Sequence, residues 1–206
     1  MSPVKNGGIT VAFANAVDHS ILNIEKRIPS FHEEIRQHMK DIKLLCLTEL
    51  NNNILLWSHY SEQHAGVVLE LRCVPEQDSP WGMAAPVEYT KKMPVLLDDE
   101  AFAALVSGQR GLDHRALTRR MVFTKALDWS YEKEWRVFAG KGRTLDVYED
   151  IPFSVQELDA VYLGCRVPDK DARDIISIVR QKYSHARLFN ARKADRTFDL
   201  VFTVID

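Results

Sequence analysis

Apolar residues in this chain gather into short runs rich in β-branched and aromatic side chains, and that pattern limits the fold more than any other feature. Lys43–Thr48, Gly66–Arg72, Val87–Thr90, Leu158–Gly164, Arg187–Asn190 and Phe198–Val204 each read as a strand bounded by turn residues, as does Gly7–Phe13. Lys43–Thr48 reads as a buried strand. In Gly66–Arg72, Val67, Leu69 and Leu71 share one face and Glu70 the other. Helical spacing begins at Pro29-Ser30, where Ser30 is placed to cap and Glu33 to close a capping box, with Phe31, Ile35, Met39 and Ile42 on one side. A short helical turn fits Ile54–Tyr60. Longer helices fit Asp99–Val106, His114–Phe123 and Pro168–Tyr183, the last striped by Ala172, Ile175, Ile176 and Val179. Hairpins and irregular loops, rather than regular strand–helix–strand units, join most strands. The expectation is a single α+β domain over residues 1–206, with a central, mostly antiparallel sheet flanked by helices.

Bulk properties exclude several function classes. A formal charge of −2 is wrong for a large non-specific nucleic-acid surface, which needs a basic excess, although Arg115, Arg119 and Arg120 can form a local patch. Three cysteines, Cys46, Cys73 and Cys165, lack paired spacing, so neither a disulfide framework nor a zinc knuckle is expected, and a reducing cytoplasm fits. No apolar run is long enough to span a membrane. The stretch from Lys5 to Ala14 is too short and too polar for a secretory leader.

One segment concentrates chemistry: Lys125-Ala-Leu-Asp-Trp129-Ser-Tyr131-Glu132-Lys-Glu134-Trp135-Arg136-Val-Phe138. As a strand from Glu132, it sets Glu132, Glu134 and Arg136 on one face. As a helix, it groups Lys125, Trp129, Glu132 and Arg136. Either way, carboxylates and a guanidinium sit beside large aromatics, the composition of a small-molecule pocket. Burial against Trp raises a carboxyl pKa and Arg136 lowers it. Thr144–Tyr148 is placed to be the antiparallel partner, through Gly140-Lys141-Gly142.

A second segment, Trp57-Ser58-His59-Tyr60 with His64, offers aromatic and imidazole groups. Helical spacing sets His59 and His64 on different faces, and no metal-ligand motif is present, so no metal is expected. Ser58 and His59 are adjacent and point apart, so they make no nucleophile pair. His59 reads as a hydrogen-bonding group in a pocket or as a packed histidine.

Together these motifs resemble a known family. Trp57-Ser-His59-Tyr60, His64-x-Gly66, Leu69-Glu70-Leu71, Tyr89, Lys125-x-x-x-Trp129-x-Tyr131-Glu132-x-Glu134-Trp135-Arg136 and Val161-Tyr-Leu-Gly164 resemble, in order from about Leu45 to Val179, the bacterial family catalogued as domain of unknown function 2971. That family's opening strand and Asn-Asp-Pro-Phe-like turn have no counterpart here, which implies an incomplete or inactive chain if they carry part of the site. A further similarity is to the C-terminal half of ADP-ribosyltransferase-like toxins. It implies a bacterial or phage enzyme handling NAD as substrate, with no tightly bound cofactor, in a defence or toxin setting and acting on a protein or nucleic-acid target. Glu134 (or Glu132) would stabilise the oxocarbenium-like ribose, and Tyr60 or Trp57 would stack on nicotinamide. His59 and Arg136 would bind ribose or pyrophosphate, with Lys125 and Trp129 completing the substrate site.

Two other readings use the same residues. One is a non-catalytic module that binds a protein through its aromatic-rich face, where Trp and Arg are favoured. The other is a nuclease built on Glu70, Glu88 and Lys125.

Overall fold

In the computed structural model, which describes residues 26, 28–107, 109, 113–142 and 146–206, helix α1 spans 28–40 and leads into strand β1 (Ile42–Thr48). There follow α2 (Ile54–Tyr60), β2 (Val67–Leu71), β3 (Ala85–Pro86), β4 (Glu88–Thr90), α3 (Asp99–Val106), α4 (His114–Val122), β5 (Thr124–Ala126) and β6 (Glu134–Lys141). The chain ends in β7 (Leu158–Leu163), α5 (Asp169–Lys182), β8 (Arg187–Lys193) and β9 (Leu200–Val204). The expected strand at Gly7–Phe13 lies outside the described residues.

The fold is α+β. Its strands divide into a sheet ordered β1-β6-β3, a sheet ordered β2-β7-β8-β9, and the pair β4-β5. Pairings are antiparallel except β4 with β5 and β7 with β8. The parallel β7–β8 pair requires a crossover, and α5, the helix expected at Pro168–Tyr183, supplies it as one strand–helix–strand unit.

Strand β7 is the centre of the core. It lies between β2 and β8 and is covered on both faces, which explains its nearly unbroken apolar sequence. On one side Val161 and Leu163 pack with Val179 of α5 and Leu188 of β8. On the other, Ala160 and Tyr162 meet Trp57 of α2 and Leu200 of β9. Full burial of each such side chain stabilises the fold by about 1.5–3 kcal/mol. Helix α5 carries Asp169 and Asp171 in its first turn and Arg180 and Lys182 in its last, the polarity its dipole favours.

Four local expectations are corrected. Strand β1 is not buried: Leu44 is 39% and Leu45 43% exposed, because β1 is the edge of a three-stranded sheet. Ser30 lies inside α1 rather than at its cap. Leu69 is exposed while Val67 and Leu71 pack on the core, β2 being the edge strand of its sheet. Strand β6 pairs with β1 and β3; Thr144 and Leu145 lie outside the described residues, and 146–148 form no strand.

The turn joining α2 to β2 is backbone-strained. Glu62, Gln63 and His64 have φ of 47°, 53° and 71°, a left-handed run that side chains with a Cβ disfavour by about 1–2 kcal/mol each. It is held against the end of β7 by Gly164 N–H to Gly66 O at 3.0 Å and Arg166 N–H to His64 O at 3.0 Å. A Cβ on Gly164 would meet His64 O at 2.2 Å and Gly66 O at 2.8 Å, both backbone atoms. Gly164→Ala is therefore expected to cost about 3 kcal/mol, at the upper end of overpacking effects, read as a lower urea midpoint with an unchanged slope.

Candidate functional site

Two hydrogen-bonded clasps bring the two chemistry-bearing segments together. Asn53 caps α2 through Oδ1, accepting from Leu55 N–H at 2.9 Å, while its Nδ2 donates to Tyr131 O at 3.2 Å. Thr48 Oγ1 donates to Glu132 O at 2.6 Å. Between them they lock the 3₁₀ turn Leu127–Glu132 to the end of β1 and the start of α2. The turn ends at Lys133 in a left-handed conformation, φ 47° and ψ 50°, from which the chain enters β6. The key segment is thus neither all strand nor all helix. Glu132 is delivered by the end of the turn and Glu134 by the first strand position, and both carboxylates face one cleft.

That cleft has a volume of about 660 Å³. Lys125, presented by β5, reaches both acids: its ammonium bonds to Glu132 and lies 3.0 Å from Glu134 Oε2. Arg136 grips Glu134 in a two-point contact, Nε to Oε1 at 2.7 Å and Nη2 to Oε2 at 3.1 Å, and its Nη1 donates to Val122 O. Tyr60 O–H donates to Glu132 Oε1 at 2.8 Å. Glu132 and Glu134 are 3% and 6% exposed, so these bonds form where water screens poorly. Tyr89 supports the strand start by accepting from Glu134 N–H at 2.8 Å.

The protonation states follow. Burial alone would raise Glu134, but hydrogen bonds from Arg136, Lys125 and Cys46 reverse this and hold its carboxyl at about 2. Burial, then the bond to Glu132 and its charge, push the Tyr60 phenol up to about 12. Burial and the adjacent Glu134 also raise the Cys46 thiol. Lys125 is raised too, because its two glutamates outweigh its desolvation. Near neutral pH the cleft therefore holds an ionised Glu134 beside a charged Lys125, with the Tyr60 phenol and Cys46 thiol both protonated. This suits electrostatic stabilisation rather than proton shuttling.

Six of the eight expected site residues line this cleft: Trp57, Tyr60, Lys125, Glu132, Glu134 and Arg136. They do not all serve as expected. Trp57 is 1% exposed, its ring lies parallel to His64 and against Phe202, and its Nε1 donates to Asn51 O at 2.6 Å, so it is core wall rather than a free stacking face. His59 is exposed outside the cleft, edge-on to Tyr60 at 6.2 Å. Trp129 also stands outside, its ring centroid 5.0 Å from the Lys125 ammonium. Both follow from local geometry: His59 adjoins the cleft-facing Tyr60 on a helix and points away, and Trp129 lies in the turn before the segment swings inward. Arg136 and Lys125 are committed to the glutamates, not open to pyrophosphate. Glu88 is exposed on β4 and does not line the cleft, and among the described residues no three His, Cys, Asp or Glu side chains are grouped to hold a metal ion.

Cys46 and Tyr162 escaped the sequence reading of the site, and Glu70 entered it only in the nuclease reading. Cys46 gave no signal, being one apolar residue in a strand-like run. Glu70 and Tyr162 did: a charge opposite an apolar strand face, and a phenol inside a buried strand whose hydroxyl needs a partner. They are each other's partners, since Tyr162 O–H donates to Glu70 Oε2, and Arg187 Nη2 reaches Glu70 Oε1 at 3.3 Å.

Acid should dissolve this network in a defined window. Because the folded pKa of Glu134 lies below its unfolded value near 4.5, its stabilisation is complete above that value and is lost as pH falls toward about 2. The shift corresponds to at most about 3 kcal/mol. Chemical denaturation from pH 6 to 2 should show this loss, and Glu134→Gln should flatten it. Lys125→Met leaves Glu132 without its ammonium and is expected to cost about 3–5 kcal/mol by the same measurement.

Residues 56–137 match a family model described as Protein of unknown function (DUF2971), a shorter stretch than the motif resemblance spans, ending before β7. No curated protein and no solved structure matches the chain. The matched segment contains most of α2, from Leu56 to Tyr60, and all of the Lys125–Arg136 network, and over those residues the chain is similar to that family.

Proposed function

We propose that the cleft binds a small molecule and breaks its N-glycosidic bond by stabilising the cation that forms, an ADP-ribosyltransferase-like reaction with NAD as substrate. The observation that carries this reading is an ionised, nearly buried Glu134 facing a cleft whose rim bears the Tyr60 ring, 67% exposed. In the reaction the C1′–N bond of the ribosyl pyridinium breaks and its electron pair leaves with neutral nicotinamide. The ribose becomes oxocarbenium-like opposite Glu134. A water or acceptor oxygen or nitrogen then adds at C1′ and gives up its proton to solvent. Tyr60 supplies the stacking face. Lys125 and Arg136 hold Glu134 ionised and aimed, and Glu132 orients Tyr60 through its phenol. The thiols of Cys46, Cys73 and Cys165 are free, which suits a reducing cytoplasm.

A second reading has its own observation. Glu132 and Glu134 are already balanced by Lys125 and Arg136, and exposed Leu69 and Tyr60 give the cleft an apolar rim, as in a protein-binding module. NAD should raise the melting temperature of the wild type, and nicotinamide release should fall at least about 100-fold in Glu134→Gln, the scale for losing one pre-organised electrostatic group. A protein that neither shifts with NAD nor releases nicotinamide is the binding module instead.

A further inference from the structure

The cleft's charge balance says which part of a substrate it reads. Its lining carries four carboxylates, Glu49, Glu70, Glu132 and Glu134, against two cations, Lys125 and Arg136. Both cations are spent on Glu132 and Glu134, and the third donor position of Arg136 is occupied by Val122 O. Among the described lining residues no other Lys or Arg is present to meet a phosphate. Glu49 and Glu70 are held mainly by neutral donors, Trp135 Nε1 at 2.5 Å and the Tyr162 hydroxyl, with only the exposed Arg187 at 3.3 Å from Glu70. These contacts leave the opening of the cleft negative. Beside it the Tyr60 ring is free to take a cation on its face.

We propose that the cleft selects an organic cation: it takes the positively charged heteroaryl end of its substrate, and phosphate groups stay outside. The proposal rests on the glycosidic reading for its reaction but not for its binding. A desolvated anionic phosphate among these acids would be repelled, while a planar pyridinium gains from Glu49, Glu70 and the Tyr60 face together. Glu49 and Glu70 are specificity-determining residues in this scheme and touch none of the reacting atoms.

Calorimetric titration with 1-methylnicotinamide, a pyridinium cation, and with neutral nicotinamide tests this directly. The cation should bind at least about 10-fold more tightly, and should weaken as salt is raised. Glu49→Gln and Glu70→Gln, which keep an oxygen acceptor for Trp135 and Tyr162, should each weaken the cation about 3- to 10-fold and leave the neutral amide unchanged, the effect of one nearby charge at an intermediate dielectric. Melting curves of both variants report whether each is folded, and either one suffices. Equal binding of the two ligands, no binding of either, or cation binding indifferent to both substitutions overturns the proposal. Nicotinamide riboside, which lacks the second nucleotide and all phosphate, separates it from the reaction. If NAD is cleaved and the riboside and 1-methylnicotinamide are ignored, cation selection is wrong and glycosidic cleavage stands. If the cations bind and neither NAD nor the riboside is cleaved, cation selection stands and the glycosidic reading falls.

Discussion

A lysine between two glutamates is the contact on which the rest of this site depends. Lys125 comes from β5, Glu132 from the end of a 3₁₀ turn and Glu134 from the start of β6, so one ammonium ties three consecutive pieces of backbone. Taking such charges out of water costs several kcal/mol per ion, and only close, multiply bonded geometry offsets it. Arg136 completes that geometry from two residues further along the strand, on the same face as Glu134. The left-handed Lys133 is a consequence: the chain must reverse between the two acids for both to reach one partner.

The surrounding fold serves to keep this arrangement beside open space. Strand β1 pairs with β6 and places Cys46 opposite Arg136 and Thr48 opposite Glu134, which makes one wall of the cleft. The other wall is β2 with Glu70 and β7 with Tyr162. Helix α2 spans the two. It sends Trp57 into the second sheet's core and ends at Tyr60, whose ring stands in solvent and whose hydroxyl reaches back to Glu132. One short helix therefore anchors the wall and presents the rim, from side chains three residues apart.

Much of the scaffold was legible along the chain because its signals are local. The α5 stripe, its flanking Pro168 and its charged ends mark a helix without reference to anything else, and Asp169–Lys182 is where it forms. Strand β7 announced itself by a continuous apolar run. Strand β1 misled, because an apolar run looks alike whether one or both faces are covered, and the count of neighbouring strands is not written locally. Leu69 misled for a similar reason: β2 is an edge strand, and which strand ends a sheet depends on its partners.

The sequence by itself determined which chemistry is available: Lys125, Glu132, Glu134 and Arg136 within a dozen residues, and a tyrosine within a separate aromatic segment, since residue type and spacing set what each group can donate or accept. Only the tertiary structure decided how that chemistry is spent. Whether Lys125 and Arg136 meet a ligand or the glutamates, whether Trp57 or Tyr60 offers its face, and whether Glu70 joins the cleft all depend on contacts between residues tens of positions apart. Those contacts arise when burial of β7 and Trp57 fixes the positions of whole elements, and a desolvated charge then takes the partner that this packing leaves within reach.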